Sequence, residues 1–148
     1  MAYLLIVAGI FLLELFIKNR IERNKDESTN ERICKGTLIL RKYHNKGAFL
    51  DAGQRVQPLV ALVSLVLTVV VTVVFVLTLG QKGRGALKVG LALLLGGAFS
   101  NTYDRLKRKY VVDYFSFNVK WKKLRRVVFN ISDFCILIGA LMSALCDK

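Results

Sequence analysis

Asp113 and Asp133 are carboxylates in places where carboxylates are expensive. Each stands among apolar and aromatic residues, in VVDYF and FNISDF, and Asp133 lies inside an apolar run of membrane-helix length. An ionisable side chain at membrane depth carries a functional reading by default. Two carboxylates sharing a low-dielectric site cannot both ionise cheaply, so one pKa rises and the pair holds a single proton. Such a pair can activate water. The ionised member takes the proton while its partner hydrogen-bonds the carbonyl under attack. The spacing permits the two to meet if the chain turns back through the basic segment NVKWKKLRR, but does not require it.

Further polar residues gather at the same places. Asn101, Asp104 and Arg105 follow i, i+3, i+4 spacing and share one helix face. They read equally as a site-facing edge or as a helix end that marks the membrane interface. Asn130 and Asp133 also share a face, and point to the same place if their helices are neighbours. A polar first helical turn, favoured by the helix dipole, is the plainer reading of that pair. It fits less well, because Asp133 lies within the apolar run and not ahead of it.

Four apolar segments have to position these residues. The chain has 148 residues, enough for one domain, is 54% hydrophobic, and carries 23 Lys and Arg against 10 Asp and Glu. Lipid around the apolar runs, with the charges in the connections, reconciles those numbers. The predicted spans are residues 3–19, 58–79, 85–105 and 127–146. The first lacks the basic leader and small-residue cleavage site of a signal peptide, so it reads as a helix that stays. The second is a Val-rich stretch without a charge, with Pro58 in its first turn and Gly80 at its end. The third contains Lys88 and several glycines, which suit the middle of a bundle. The predicted fold is an all-α membrane bundle of four transmembrane helices in a single domain. A small extramembrane β element is expected from the first and third connections, residues 18–57 and 106–126. In its third-connection strand Val111, Asp113, Phe115 and Phe117 would share one face. Cys135 and Cys146 read as packing residues, Cys34 sits in a polar loop, and the cysteines and the one histidine follow no metal-ligand or disulfide spacing.

In order and placement these motifs resemble the lipoprotein signal peptidases (signal peptidase II) of bacteria, over nearly the whole chain. GGAFSNTYDR is similar to the family's Gly-Gly…Asn-x-x-Asp-Arg, VVDYF to its Val-Val-Asp-Phe, FNISDF to its Phe-Asn-x-x-Asp, and NKGAF to its Asn-x-Gly-Ala-Ala-Phe. The resemblance implies an aspartic endopeptidase of the bacterial cytoplasmic membrane, which removes the signal peptide from a prolipoprotein ahead of a diacylglyceryl-modified cysteine. It implies Asp113 and Asp133 as the catalytic dyad. Asn101, Arg105 and Asn130 would hold substrate backbone or the dyad, Asp104 would brace Arg105, and Asn45 and Gly47 would lie near the bound peptide. No metal, nucleotide or other cofactor is implied. The expected partners are the lipid-modified prolipoprotein and membrane lipids, with a monomer favoured.

The chain also departs from the family pattern. Glu14 and Leu15 stand where Asp-Gln is usual ahead of a lysine, here Lys18. Lys46 replaces a small polar residue, one alanine is missing before Phe49, Ser100 replaces a glycine, and Phe134 stands where a small residue is common. The expectation is a divergent paralogue whose substrate choice differs.

The competing class is a non-catalytic membrane protein whose basic clusters, RLKRK and KWKKLRR, bind anionic lipid or a protein partner. Plain interface anchoring through Trp121 and Tyr110 would explain the same clusters. Neither accounts for the four buried-type polar residues together, and no nucleic-acid reader fold is present in the sequence. Orientation is where two rules disagree. Residues 18–57 hold ten Lys and Arg and residues 105–126 hold nine, against two in the turn at 80–84. The positive-inside rule would place the aspartates in the cytoplasm. The resemblance implies the reverse, with both termini cytoplasmic and Asp113 and Asp133 toward the outer face, and that is the expectation adopted.

Overall fold

The computed structural model describes residues 1–26, 28–47 and 54–146. Helix α1 (Ala2–Asn24) leads into strands β1 (Glu31–Ile33) and β2 (Leu38–Asn45). Helices α2 (Gln57–Leu79) and α3 (Gly85–Lys107) follow, then strand β3 (Val111–Phe117), a short helix α4 (Lys122–Arg126) and helix α5 (Ile131–Leu145). The chain is thus mostly helical with one small sheet. Among the described residues two helices, α1 and α2, are by themselves long and apolar enough to cross a membrane.

Helix α3 is the hub of the bundle. It packs on α5, α1 and α2, while α2 touches no other long helix closely. Its glycine-rich faces permit this, as close backbone approach needs small residues. A Cβ placed on Gly139 of α5 would lie 2.4 Å from the Leu94 backbone nitrogen and 2.5 Å from the Gly90 carbonyl oxygen. At Gly97 a Cβ would lie 2.5 Å from the Ser132 carbonyl oxygen. At the end far from the sheet, Val7, Phe75, Leu87, Leu91, Ala92 and Leu95 form the apolar core. Nearer the sheet, the Thr68 and Thr102 hydroxyls join α2 to α3 at 2.8 Å.

The sheet has order β1-β2-β3, antiparallel throughout, with Tyr43 opposite Asp113 and Asn45 opposite Val111. As expected, it joins the first and third connections. A register shift between Leu40 and Tyr43 lets β2 bend over the end of the bundle. The alternation expected for β3 is visible in its partners. Phe115 and Phe117 meet Phe129 and Phe134 on one side, while Tyr114 turns to Glu14 of α1 on the other.

Three boundaries differ from the sequence reading. Helix α1 runs five residues past the predicted end, to Asn24, because its polar tail docks on the sheet: Glu22 takes Lys42 at 3.2 Å and His44 at 2.7 Å. The predicted fourth span begins late, at Ile131, and has 15 helical residues. Val127–Asn130 is extended instead, with Phe129 bridging to Phe115. The basic segment before it, read as a loop, contains α4.

The seam between α3 and α5 gives a direct test. Gly139→Ala should lower the unfolding temperature in detergent, with a cost of about 1–3 kcal/mol for overpacking. Gly9→Ala, where a Cβ meets nothing within 4 Å, should leave it unchanged or slightly raised.

Candidate active site

The site forms where α1, α3, β2, β3 and the start of α5 converge. Asn130 caps α5: its side-chain oxygen accepts from the Asp133 backbone at 3.0 Å, and Asp133 Oδ2 accepts from the Asn130 backbone at 3.1 Å. This reciprocal box gives the first turn its stability. The plainer reading of this pair, as a polar helix start, is therefore correct as far as it goes. The unused atoms of both residues do something else. Asn130 Nδ2 donates to Asp113 Oδ1 at 2.7 Å, and Asp133 Oδ1 accepts from Asn101 Nδ2 at 3.0 Å. Asn101 Oδ1 accepts from Asn130 Nδ2 at 3.3 Å, closing the path between the two carboxylates. Asn45 Nδ2 donates to the other oxygen of Asp113 at 3.1 Å.

Arg105 stands at the edge of this network. Its guanidinium donates to the Gly47 carbonyl at 3.2 Å and the Asn101 carbonyl at 3.4 Å. Asp104, its neighbour in the chain, also has partners elsewhere. Asp104 ion-pairs with Lys18 at 3.0 Å and Arg108 at 2.8 Å, and accepts the Val112 backbone N–H at 3.2 Å. Neighbours in a helix point about 100° apart, so Asp104 and Arg105 serve different partners. Asn45 and Gly47 of NKGAF belong to the site; Ala48 and Phe49 lie outside the described residues.

Behind the carboxylates lies a second set of residues that sequence reasoning had noted only as departures. Lys18 Nζ donates to Ser100 Oγ and Asn101 Oδ1, each at 2.9 Å. Glu14 accepts from the Tyr114 hydroxyl at 2.5 Å and from Ser132 Oγ at 2.7 Å. Glu14 is fully buried and Lys18 nearly so. The signal was present: a Glu and a Lys at i, i+4 inside an apolar helix are as anomalous as Asp133.

Burial, followed by the nearby Asp133 charge, pushes Asp113 up to about 7. At neutral pH Asp113 is thus poised between acid and base, beside a second carboxylate. Asp133 faces an apolar groove of about 730 Å³ between α2, α3 and α5, lined also by Arg105, Thr68, Val71, Ala98, Phe117, Phe129, Phe134 and Leu137, while Asp113 lies buried behind it. That size lies in the range of ligand clefts. Phe134, a departure from the expected small residue, narrows it. Among the described residues no three His, Cys, Asp or Glu side chains come together as metal ligands.

The raised Asp113 pKa has a consequence for stability. Between pH about 4 and about 7 the folded chain binds more protons at this position than the unfolded chain, so the Asp113 contribution falls as pH rises through that window. Asn at this position does not titrate. The unfolding temperature of Asp113→Asn, relative to the parent, should therefore rise from pH 5 to pH 8. A difference that stays flat or falls would contradict the raised pKa.

Known proteins share this organisation. The sequence model of the family described as Signal peptidase (SPase) II matches residues 6–146. The lipoprotein signal peptidase of Halothermothrix orenii is 32% identical over 143 residues, covering 95% of this chain and 91% of its own. That of Clostridium tetani is 28% identical over 145 residues, covering 96% and 88%. Two solved bacterial membrane enzymes, determined by the in meso method, superpose with TM-scores of 0.79 and 0.77, each at 20% identity. They cover 97% and 99% of this chain, and 85% and 94% of their own. The family match spans nearly every residue that builds the site, from Glu14 to Asp133, and the chain belongs to the signal peptidase II family.

Proposed function

We propose that the chain is an intramembrane aspartic endopeptidase that removes the signal peptide from diacylglyceryl-modified prolipoproteins. Family membership makes it a protease of lipoprotein processing. The observation that carries the finer reading is the joining of Asp113 and Asp133 through Asn130 and Asn101, with Asp133 on the wall of an apolar groove.

In this reading Asp113, its pKa raised, begins as the protonated member. It hydrogen-bonds the scissile carbonyl oxygen and stabilises the charge that develops there. Asp133, which lines the groove, takes a proton from water as that water attacks. The tetrahedral intermediate collapses as the leaving amine receives a proton from the pair, which returns to one shared proton. Asn45, Asn101 and Asn130 hold the two carboxylates in register, and Arg105 with Gly47 holds the substrate backbone. Asp104 keeps β3 against α3 and α1 through Val112 and Lys18. The groove takes the lipid chains and the apolar signal segment.

The whole chain acts as one domain. It crosses the bacterial cytoplasmic membrane four times, through α1, α2, α3 and α5, with both termini cytoplasmic and the site near the outer face. The apolar exteriors of α1 and α2 support the membrane placement, and the orientation follows the family resemblance.

Asp113→Asn and Asp133→Asn should each abolish cleavage of a lipid-modified substrate peptide by purified protein, while both variants remain folded. Asn is nearly the same shape, so loss would be chemical; substantial turnover by either would remove that residue from the dyad. For topology, a cysteine at Asn24, in a chain stripped of native cysteines, should react with an impermeant thiol reagent on intact cells. One added after Lys148 should not, and the opposite pattern would overturn the orientation.

A further inference from the structure

The groups at the catalytic network are matched with opposite charge, but the cations next to it are not. Between Asp113 and Asp133 the sequence has no acidic residue, and its basic run contains α4. Lys120, Lys122, Lys123, Arg125 and Arg126 are all exposed, as is Trp121 at 67%.

One charge in this patch is unfavourably placed. Arg41, half-buried on β2, lies close enough to Arg125 of α4 for their like charges to repel. Burial first, then that neighbouring charge, hold the Arg41 guanidinium below its usual range. Its Nε is buried and donates to no acceptor. Among the described residues neither arginine ion-pairs with an Asp or Glu, although the same sheet matches Lys25 with Glu31 and Lys42 with Glu22. A guanidinium with an unpaired Nε and a like charge in its surroundings is an arrangement that an oxyanion relieves.

We propose that Arg41 and Arg125, with the lysines around Trp121, form a site for the phosphate of an anionic phospholipid headgroup on the membrane surface next to the active site. A lipid suits the site better than an acidic polypeptide. Helix α4 directly precedes the apolar α5, and Trp121 beside lysines is the side-chain mixture of a headgroup layer. The inference rests on the membrane reading above but not on the dyad. It also supplies a reason for cations on what that reading makes the outer side, against the positive-inside bias.

The chain has one tryptophan, so its fluorescence reports on α4 alone. The full chain would be placed in phosphatidylcholine vesicles carrying brominated phosphatidylglycerol or brominated phosphatidylcholine at equal mole fraction. The anionic quencher should act several-fold more strongly. Each surface cation contributes on the order of fivefold to affinity for an anionic surface. Arg41→Gln with Arg125→Gln should therefore remove most of that preference, with the unfolding temperature unchanged. Equal quenching by the two lipids would overturn the proposal and leave an acidic polypeptide as the partner. A preference undiminished in the double variant would overturn the arginine site. Failure of the chain to insert into vesicles would remove the membrane reading and this inference together, whereas loss of cleavage alone would touch only the dyad.

Discussion

The Lys18 ammonium organises this molecule. Nearly fully buried, it touches Ser100, Asn101 and Asp104 of α3 and lies 3.5 Å from Glu14 on its own helix. A buried charge without partners costs several kcal/mol, so its acceptors must stay in place or the bundle loosens. Each acceptor then hands the constraint on. Asn101, with its oxygen committed to Lys18, turns its amide to Asp133; Asp104 fixes the backbone of β3 one residue before Asp113; Glu14 holds Tyr114 and Ser132, the immediate neighbours of the two aspartates. Such a network is worth most when every member is satisfied, and among the described residues its donors and acceptors nearly all are.

Much of this arrangement was legible in the sequence, for a physical reason. Apolar runs report burial or lipid, so polar residues inside them stand out without any knowledge of the fold. Asp113, Asn130 and Asp133 were found that way, and Asn101 and Arg105 by helical spacing. The three-stranded sheet was foreseeable from alternation in β2 and β3. What escaped was connectivity. Asp104 and Arg105 adjoin in the chain, yet the structure also ties Asp104 to Lys18 and Arg105 to the Gly47 carbonyl, partners that no spacing announces. Glu14 and Lys18 were visible as anomalies but read as departures, because only the packing of α1 on α3 brings them behind the site.

The departures are themselves coupled in space. Glu14 reaches both the Tyr114 and Ser132 hydroxyls, and Ser100 accepts from Lys18. The departures at Glu14 and Ser100, far apart in the chain, thus meet in one group around Lys18. Phe134 departs differently: it joins the ring cluster with Phe115, Phe117 and Phe129 and shapes the groove, not the network.

The brevity of α5 bears on the surrounding bilayer. Its 15 residues rise roughly 22 Å, about 8 Å short of a hydrocarbon core of about 30 Å. In the four-span topology proposed above, lipid beside such a helix would thin to match it, at a fraction of a kcal/mol for each ångström. Asp133, in its first turn, would then sit beneath a dimple in the leaflet. Water would have a shorter path to the carboxylates there than anywhere else around the bundle, and a bond otherwise sheltered by lipid would be brought to the solvent without leaving the membrane.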